Sequence, residues 1–147
     1  MTMNILPYSR KAQYYETDQM GVIHHANYIR WLEEARIDFL EQIGFPYERV
    51  EKMGITLAVL DLSCEYKAPV LFGDTVHIQV ELKNCSHSRM TICYSITDAA
   101  SGELRTIGET QHFFYKKEDT CPASLKRAIP ELYDLFCSLI DSNNNHK

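Results

Sequence analysis

The chain has no long apolar run. Stretches such as Leu57-Ala58-Val59-Leu60 are short, whereas a bilayer-crossing helix needs about 20 consecutive apolar residues, so no membrane span is expected. Nor is there a basic surplus: 15 Lys and Arg stand against 20 Asp and Glu, a formal net charge of −5. Proteins that live on nucleic-acid backbones need a basic face, so no nucleic-acid partner is expected. A small anionic ligand stays open, because local charge can oppose the global sign. Metal and disulfide signatures are missing too. The five cysteines, Cys64, Cys85, Cys93, Cys121 and Cys137, are odd in number and form no C-x-x-C, which gives neither a disulfide framework nor a zinc ribbon. His77, His87 and His112 are scattered and no H-E-x-x-H occurs, so no metal is expected. Reduced thiols fit a cytoplasmic setting. The start, Met1 to Pro7, is too short and polar to read as a signal peptide, and neither repeats nor linkers are visible.

What is present is 147 residues, 45% hydrophobic and 24% charged, a composition typical of a globular domain. The reading is one domain over residues 1–141 followed by a frayed polar tail, 142–147. Tyr8 to Thr17 reads as a strand, and Asp18 to Gly21 as a turn in which glycine supplies conformational freedom. From Asn27 the period changes. Tyr28, Trp31, Leu32, Ala35, Phe39, Leu40 and Ile43 fall at helical spacing, with Asn27 as N-cap and Gly44 and Pro46 as the stop. This helix spans about 25 Å, enough to cross a small sheet. A short helix, Tyr47 to Met53, ends at Gly54. The period then becomes two: Leu60, Leu62, Cys64 and Tyr66; Val76, Ile78, Val80 and Leu82; Met90, Ile92, Tyr94 and Ile96. These read as half-buried strands. Leu104 to Tyr115 reads as a last long strand, after a hairpin loop at Asp98–Gly102. A C-terminal helical stretch carries Ile129, Leu132, Phe136 and Ile140 on one face. One long apolar helix against an antiparallel sheet is an α+β design. The second sheet face, with Thr91, Cys93, Ser95 and Thr97, is semi-polar, so it suits solvent or another subunit.

Chemistry concentrates between Tyr14 and Tyr28, where Glu16, Asp18, His24, His25 and Asn27 lie between a strand end and a helix start. A helix N-terminus presents unpaired N–H groups and the positive end of its dipole. Those groups would stabilise an oxyanion developing on a carbonyl, and a carboxylate just upstream could attack that carbonyl or activate a water. The same residues have a plainer reading. Asp-x-x-Gly is a common turn, and paired histidines at a helix start commonly cap or face solvent.

The segment Tyr15 to Arg36, E-T-D-x-M-G-V-I-H-H-A-N-Y-x-x-W-x-E-x-A-R, resembles the signature of hotdog-fold acyl-CoA thioesterases, the family of 4-hydroxybenzoyl-CoA thioesterase and the Tol–Pal-associated acyl-CoA thioesterases. The likeness continues from Gly54 to Asp74, over Ser88 to Ile92 and over Gly108 to His112, and so covers about Tyr8 to Lys116. It implies a curved antiparallel sheet wrapped around one long central helix, and hydrolysis of an acyl-CoA to free acid and coenzyme A. The coenzyme A is part of the substrate, and no other cofactor is implied. Asp18 falls on the family's catalytic carboxylate, as nucleophile or general base. Gly21 falls on the active-site loop. His25 falls at the helix start, where the backbone N–H polarises the thioester carbonyl and the side chain assists. Tyr15 and Asn27 match positions that shape or brace the loop. The 4-hydroxybenzoyl-CoA enzyme has Tyr-Pro where this chain has His25-Ala26, which weighs against an aromatic substrate. Arg89, Lys83, Lys116 and Lys117 are candidates for the phosphates of coenzyme A. The resemblance also implies a homodimer or homotetramer, with sheets joined edge to edge and sites at the subunit interface. Two alternatives are an acyl-acyl carrier protein thioesterase and a non-catalytic acyl-CoA-binding hotdog module. The presence of Asp18 favours an enzyme.

Overall fold

A computed structural model describes residues 3–145. In chain order the elements are β1 (Tyr8–Lys11), a single 3-10 turn (Tyr14–Glu16), α1 (His25–Gln42), α2 (Tyr47–Lys52), β2 (Ile55–Tyr66), β3 (Thr75–Cys85), β4 (Arg89–Asp98), β5 (Leu104–Lys116), β6 (Cys121–Pro122), α3 (Leu125–Ala128) and α4 (Pro130–Asn145). The main strands lie in the order β1-β3-β4-β5-β2, with β6 paired to β5. All pairs are antiparallel. This is the α+β hotdog architecture: α1 lies in the curl of the sheet.

The period-two strands account for that curl. Val76, Ile78, Val80 and Leu82 of β3, and Met90, Ile92, Tyr94 and Ile96 of β4, are all buried. They form one face, because side chains two apart point the same way. Against it α1 lays Tyr28, Trp31, Leu32, Ala35, Phe39 and Leu40, the helical stripe expected from their spacing. The approach is close. A Cβ added at Gly108 of β5 would lie 2.8 Å from Leu32 Cδ1, so the missing side chain here lets the helix pack closely on the sheet. Leu132 and Phe136 of α4, both fully buried, close the core beside β3. The strand β2 skips register between Val59 and Asp61, a bulge at Leu60 that bends the edge strand. Its outer edge pairs with no other strand among the described residues.

One polar chain runs through this core. Arg36 Nη1 donates to the Tyr94 hydroxyl at 3.1 Å. The Tyr94 and Thr110 hydroxyls are 2.7 Å apart, and Thr110 Oγ1 is 2.8 Å from His112 Nε2. One direction serves both hydroxyls: Tyr94 donates to Thr110, Thr110 donates to Nε2, and the imidazole keeps its proton on Nδ1. His112 is fully buried, and Nδ1 has only a weak contact with the Leu57 backbone. Burial, then the Arg36 charge, against that Leu57 contact, push its pKa down to about 4.

Three expectations shift. The first strand ends at Lys11 rather than Thr17, and the chain turns through Tyr14–Glu16 so that the Glu16 side chain can enter the core. The α1 N-cap is His24, not Asn27. The helix α4 runs on to Asn145, so residues 142–145 of the expected tail continue a helix. His146 and Lys147 lie outside the described residues.

Candidate active site at the start of the long helix

The site grows from the turn between β1 and α1. Asp18 N–H donates to the Val22 carbonyl at 2.8 Å, and Gly21 N–H to the Asp18 carbonyl at 3.1 Å. Gly21 has φ +79°, left-handed backbone that glycine adopts without strain. Asp18 Oδ1 accepts the Met20 N–H at 2.8 Å. That bond fixes the carboxylate, while Oδ2 has no partner among the described residues. The loop is held on both sides. Thr17 bridges Ile23, Val22 bridges Leu71, and Ile23 N–H donates to the Val70 carbonyl at 2.9 Å.

The helix start comes next. His24 Nδ1 accepts the Ala26 N–H at 3.1 Å, and the His24 carbonyl accepts the Asn27 N–H at 2.9 Å. Among the described residues the His25 N–H has no acceptor. It stands at the positive end of an 18-residue helix, which spans about 27 Å. The imidazoles of His24 and His25 stack, with centroids 4.2 Å apart, and both are exposed.

Asp18 and His25 share one open cleft of about 320 Å³. Met20, Val22, Ile23, Tyr28 and Pro69 give it apolar walls, and Tyr66 and Lys67 complete it. Tyr66 hydroxyl donates to the His25 carbonyl at 3.0 Å and packs edge-on against Tyr28 at 5.0 Å. The Tyr28 hydroxyl accepts the Val70 N–H at 3.2 Å. Burial pushes both phenols up in pKa, so they remain neutral, as a pocket wall requires. A fixed carboxylate, a free helix-terminal N–H and a largely apolar wall can together activate a nucleophile against a carbonyl and stabilise the resulting oxyanion.

The sequence-derived residues divide in space. Asp18, Gly21 and His25 meet at the cleft. Asn27 sits behind it, where its Nδ2 donates to the Glu16 carbonyl at 2.8 Å. Tyr15 projects from the 3-10 turn, 79% exposed, and does not line the cleft. Arg89, Lys116 and Lys117 lie at the far end of the sheet. Arg89 opposes Phe113, Lys116 opposes Ile55 at the start of β2, and Lys117 faces Glu51 at 4.0 Å. The cleft instead adjoins Tyr66 at the end of β2. Eleven steps along a strand amount to roughly 36 Å, so one chain does not bring these cations to its own Asp18. Lys83 is exposed and pairs with Glu109 at 3.4 Å. Sequence reasoning missed Arg10, Glu34 and the role of Glu16, which form an ion-pair cluster behind the loop. It also missed the cleft wall at 67–69. Glu16 two residues before Asp18 was the available signal.

Among the described residues no three His, Cys, Asp or Glu side chains converge to hold a metal, and no helix is long and apolar enough to cross a membrane.

Residues 13–133 match the model of the Thioesterase-like superfamily. The fold superposes on the crystal structure of a DHNA-CoA thioesterase from Staphylococcus aureus with a TM-score of 0.90 and 34% identity, covering 95% of this chain and 93% of that one. The sequence is 26% identical over 136 residues to the 1,4-dihydroxy-2-naphthoyl-CoA hydrolase of Thermosynechococcus vestitus, covering 86% of this chain and 92% of that protein. It is 25% identical over 99 residues to the acyl-CoA thioester hydrolase YbgC of Escherichia coli, covering 67% and 74%. With a turn-held carboxylate beside a free helix terminus in a hotdog sheet, this chain belongs to the Thioesterase-like superfamily and is a thioester hydrolase.

Proposed function

We propose that the substrate is an acyl-CoA and that the reaction is carried by Asp18 with the N-terminus of α1. The observation that carries this reading is the shared cleft, which Asp18 and His25 line together with apolar side chains, Asp18 being held there by the Met20 N–H on Oδ1. In the general-base form, Asp18 takes a proton from water. The water oxygen bonds to the thioester carbon, and the oxyanion is held by the His25 N–H. The C–S bond then breaks, and the thiolate of coenzyme A recovers the proton. In the nucleophilic form, Asp18 bonds to the carbon, expels the thiolate and leaves a mixed anhydride that water opens. The His25 imidazole assists from the cleft wall. Coenzyme A enters as part of the substrate, and no further cofactor is called for.

The working unit in this reading is at least a homodimer joined through β2. That 12-residue edge strand is unpaired on its outer side, and Val59 and Leu60 are about half exposed there. Such an edge invites pairing. Two β2 strands paired antiparallel about a two-fold axis place the Ile55 end of one beside the Tyr66 end of the other. The Arg89, Lys116 and Lys117 end of one subunit would then approach the Asp18 cleft of its neighbour and meet the phosphates of coenzyme A. The five free thiols suit a cytoplasmic enzyme. Within the family, the 4-hydroxybenzoyl-CoA and Tol–Pal-associated branches remain the motif-level assignment.

The test is thiol release from short, medium, long and aromatic acyl-CoAs, with acyl carrier protein thioesters alongside. Asp18→Asn should lower kcat by at least about 100-fold with the fold intact. Wild-type turnover in Asp18→Ala would refute the mechanism, and faster turnover of carrier-protein thioesters would move the substrate assignment.

A further inference from the structure

Glu16 is a carboxylate only 4% exposed and two residues before Asp18, and the thioesterase reading gives it no role. All of its acceptor capacity is nevertheless used. Oε1 accepts Arg10 Nη1 at 3.1 Å and the Gln13 N–H at 2.9 Å. Oε2 accepts Arg10 Nη2 at 3.0 Å and Trp31 Nε1 at 2.8 Å. Its backbone carbonyl accepts the His24 N–H at 2.9 Å and Asn27 Nδ2 at 2.8 Å. One residue thus ties together β1, the turn before Asp18, the residue that caps α1 and the second turn of α1. Arg10 is fixed in its turn: its Nε donates to Glu34 Oε1 at 2.9 Å, which also accepts the Tyr8 hydroxyl at 2.9 Å. Burial opposes the Arg10 charge, but Glu34 and Glu16 outweigh it and hold the guanidinium protonated.

A plain core requires none of this. Burying a carboxylate is costly unless it is paired and fully hydrogen-bonded, and an apolar residue would fill the same space. The bonds converge instead on the two groups whose separation governs catalysis, the Asp18 loop and the free N–H at the α1 start. We propose that Glu16 is a positioning residue for hydrolysis, the fixed point from which the Asp18 carboxylate and the helix-terminal N–H are set against one carbonyl. The inference rests on the assignment of Asp18 and α1 to thioester hydrolysis. It predicts a loss in kcat rather than in affinity, because a misplacement of about 1 Å between reacting groups costs up to about 100-fold in rate.

The test is Glu16→Gln, which keeps the shape and loses the charged pair with Arg10. Asn27→Ala is its milder companion; it removes only the bond to the Glu16 carbonyl at the foot of the helix. In both variants kcat for the preferred acyl-CoA should fall, at least 10-fold in Glu16→Gln and several-fold in Asn27→Ala, with KM within about threefold of wild type. Amide hydrogen exchange should quicken over residues 17–27 and stay unchanged in β3 and β4. If Glu16→Gln does not fold, Asn27→Ala decides alone. Folded variants with wild-type kcat overturn the proposal, whatever their melting temperature, since a merely structural strut would give that result. If the wild type hydrolyses no thioester, the thioesterase reading fails separately. Exchange confined to residues 17–27 would then still support Glu16 as the organiser of this loop, and unchanged exchange would overturn it.

Discussion

Lowering the pH should destabilise this protein through His112, with a magnitude that follows from the core. The imidazole is fully buried, its Nε2 faces the Thr110 hydroxyl, and the polar chain ends on the Arg36 cation. Protonation would require Nε2 to donate, reversing every hydroxyl toward that cation. Burial and Arg36 therefore hold the pKa near 4, against the ordinary 6.5. The unfolded chain takes up a proton as pH falls through 6.5, whereas the folded chain waits until about 4. Between those values the unfolded state binds more protons, so stability rises with pH and is lost as pH falls. With the ordinary value of 6.5 and the folded value of about 4, about 2 kcal/mol is lost between pH 7 and pH 5. With a urea m value of about 2 kcal/mol/M, the midpoint should drop by about 1 M. His112→Gln keeps an amide toward Thr110 and cannot titrate. Urea melts of both proteins at pH 7, 6 and 5 should show the slope in the wild type and its loss in the variant. Equal slopes would refute the reasoning, because every other titrating group is common to both. The depressed Asp98 carboxyl, held low first by its Ser101 hydrogen bonds, loses its contribution only below its ordinary value of 3.8, outside this window.

Other outcomes follow from single contacts. Gly108→Ala pushes a methyl group to 2.8 Å from Leu32 Cδ1; because Leu32 is fully buried, overpacking should cost about 1–3 kcal/mol, read as a lower melting temperature. Gly21→Ala meets no steric neighbour, but its φ of +79° remains, so it should destabilise by about 1 kcal/mol and lower kcat through the Asp18 turn. The pair Val59→Glu and Leu60→Glu places like charges on the β2 edge and should yield monomers by light scattering with reduced kcat/KM; an unchanged assembly would exclude this edge as the interface. In a β2-joined dimer, Arg89→Ala should raise KM for acyl-CoA far more than kcat, and a KM unchanged in low salt would remove Arg89 from the coenzyme A site.

The helix α1, the strands β3 and β4 and their shared core were legible because their signals are local periods: 3.6 along 28–43, two along 76–82 and 90–96. The Asp18 turn was legible for the same reason, since Asp-x-x-Gly closes within four residues. The N-cap was misplaced because two residues compete for it. Asn27 has the better side chain for a cap, but Glu16 claims its amide from across the loop, so His24 caps with a ring nitrogen instead. The first strand was read too long because Tyr14 and Tyr15 carry strand propensity, while the backbone must turn there to deliver Glu16 to Trp31.

By itself the sequence determined that this chain folds as one long helix against an antiparallel sheet and that Asp18 and His25 lie between a strand end and a helix start, because both follow from spacing and short-range backbone geometry. It also carried the thioesterase motif. Only the tertiary structure decided three further matters: that Glu16 is the joint behind the site, that the basic residues stand a strand's length from Asp18, and that His112 is walled into the core. The Glu16–Trp31 bond joins residues 15 positions apart and the Arg36–Tyr94 bond residues 58 apart, and no periodicity in a linear chain encodes which distant atoms burial brings into hydrogen-bonding range.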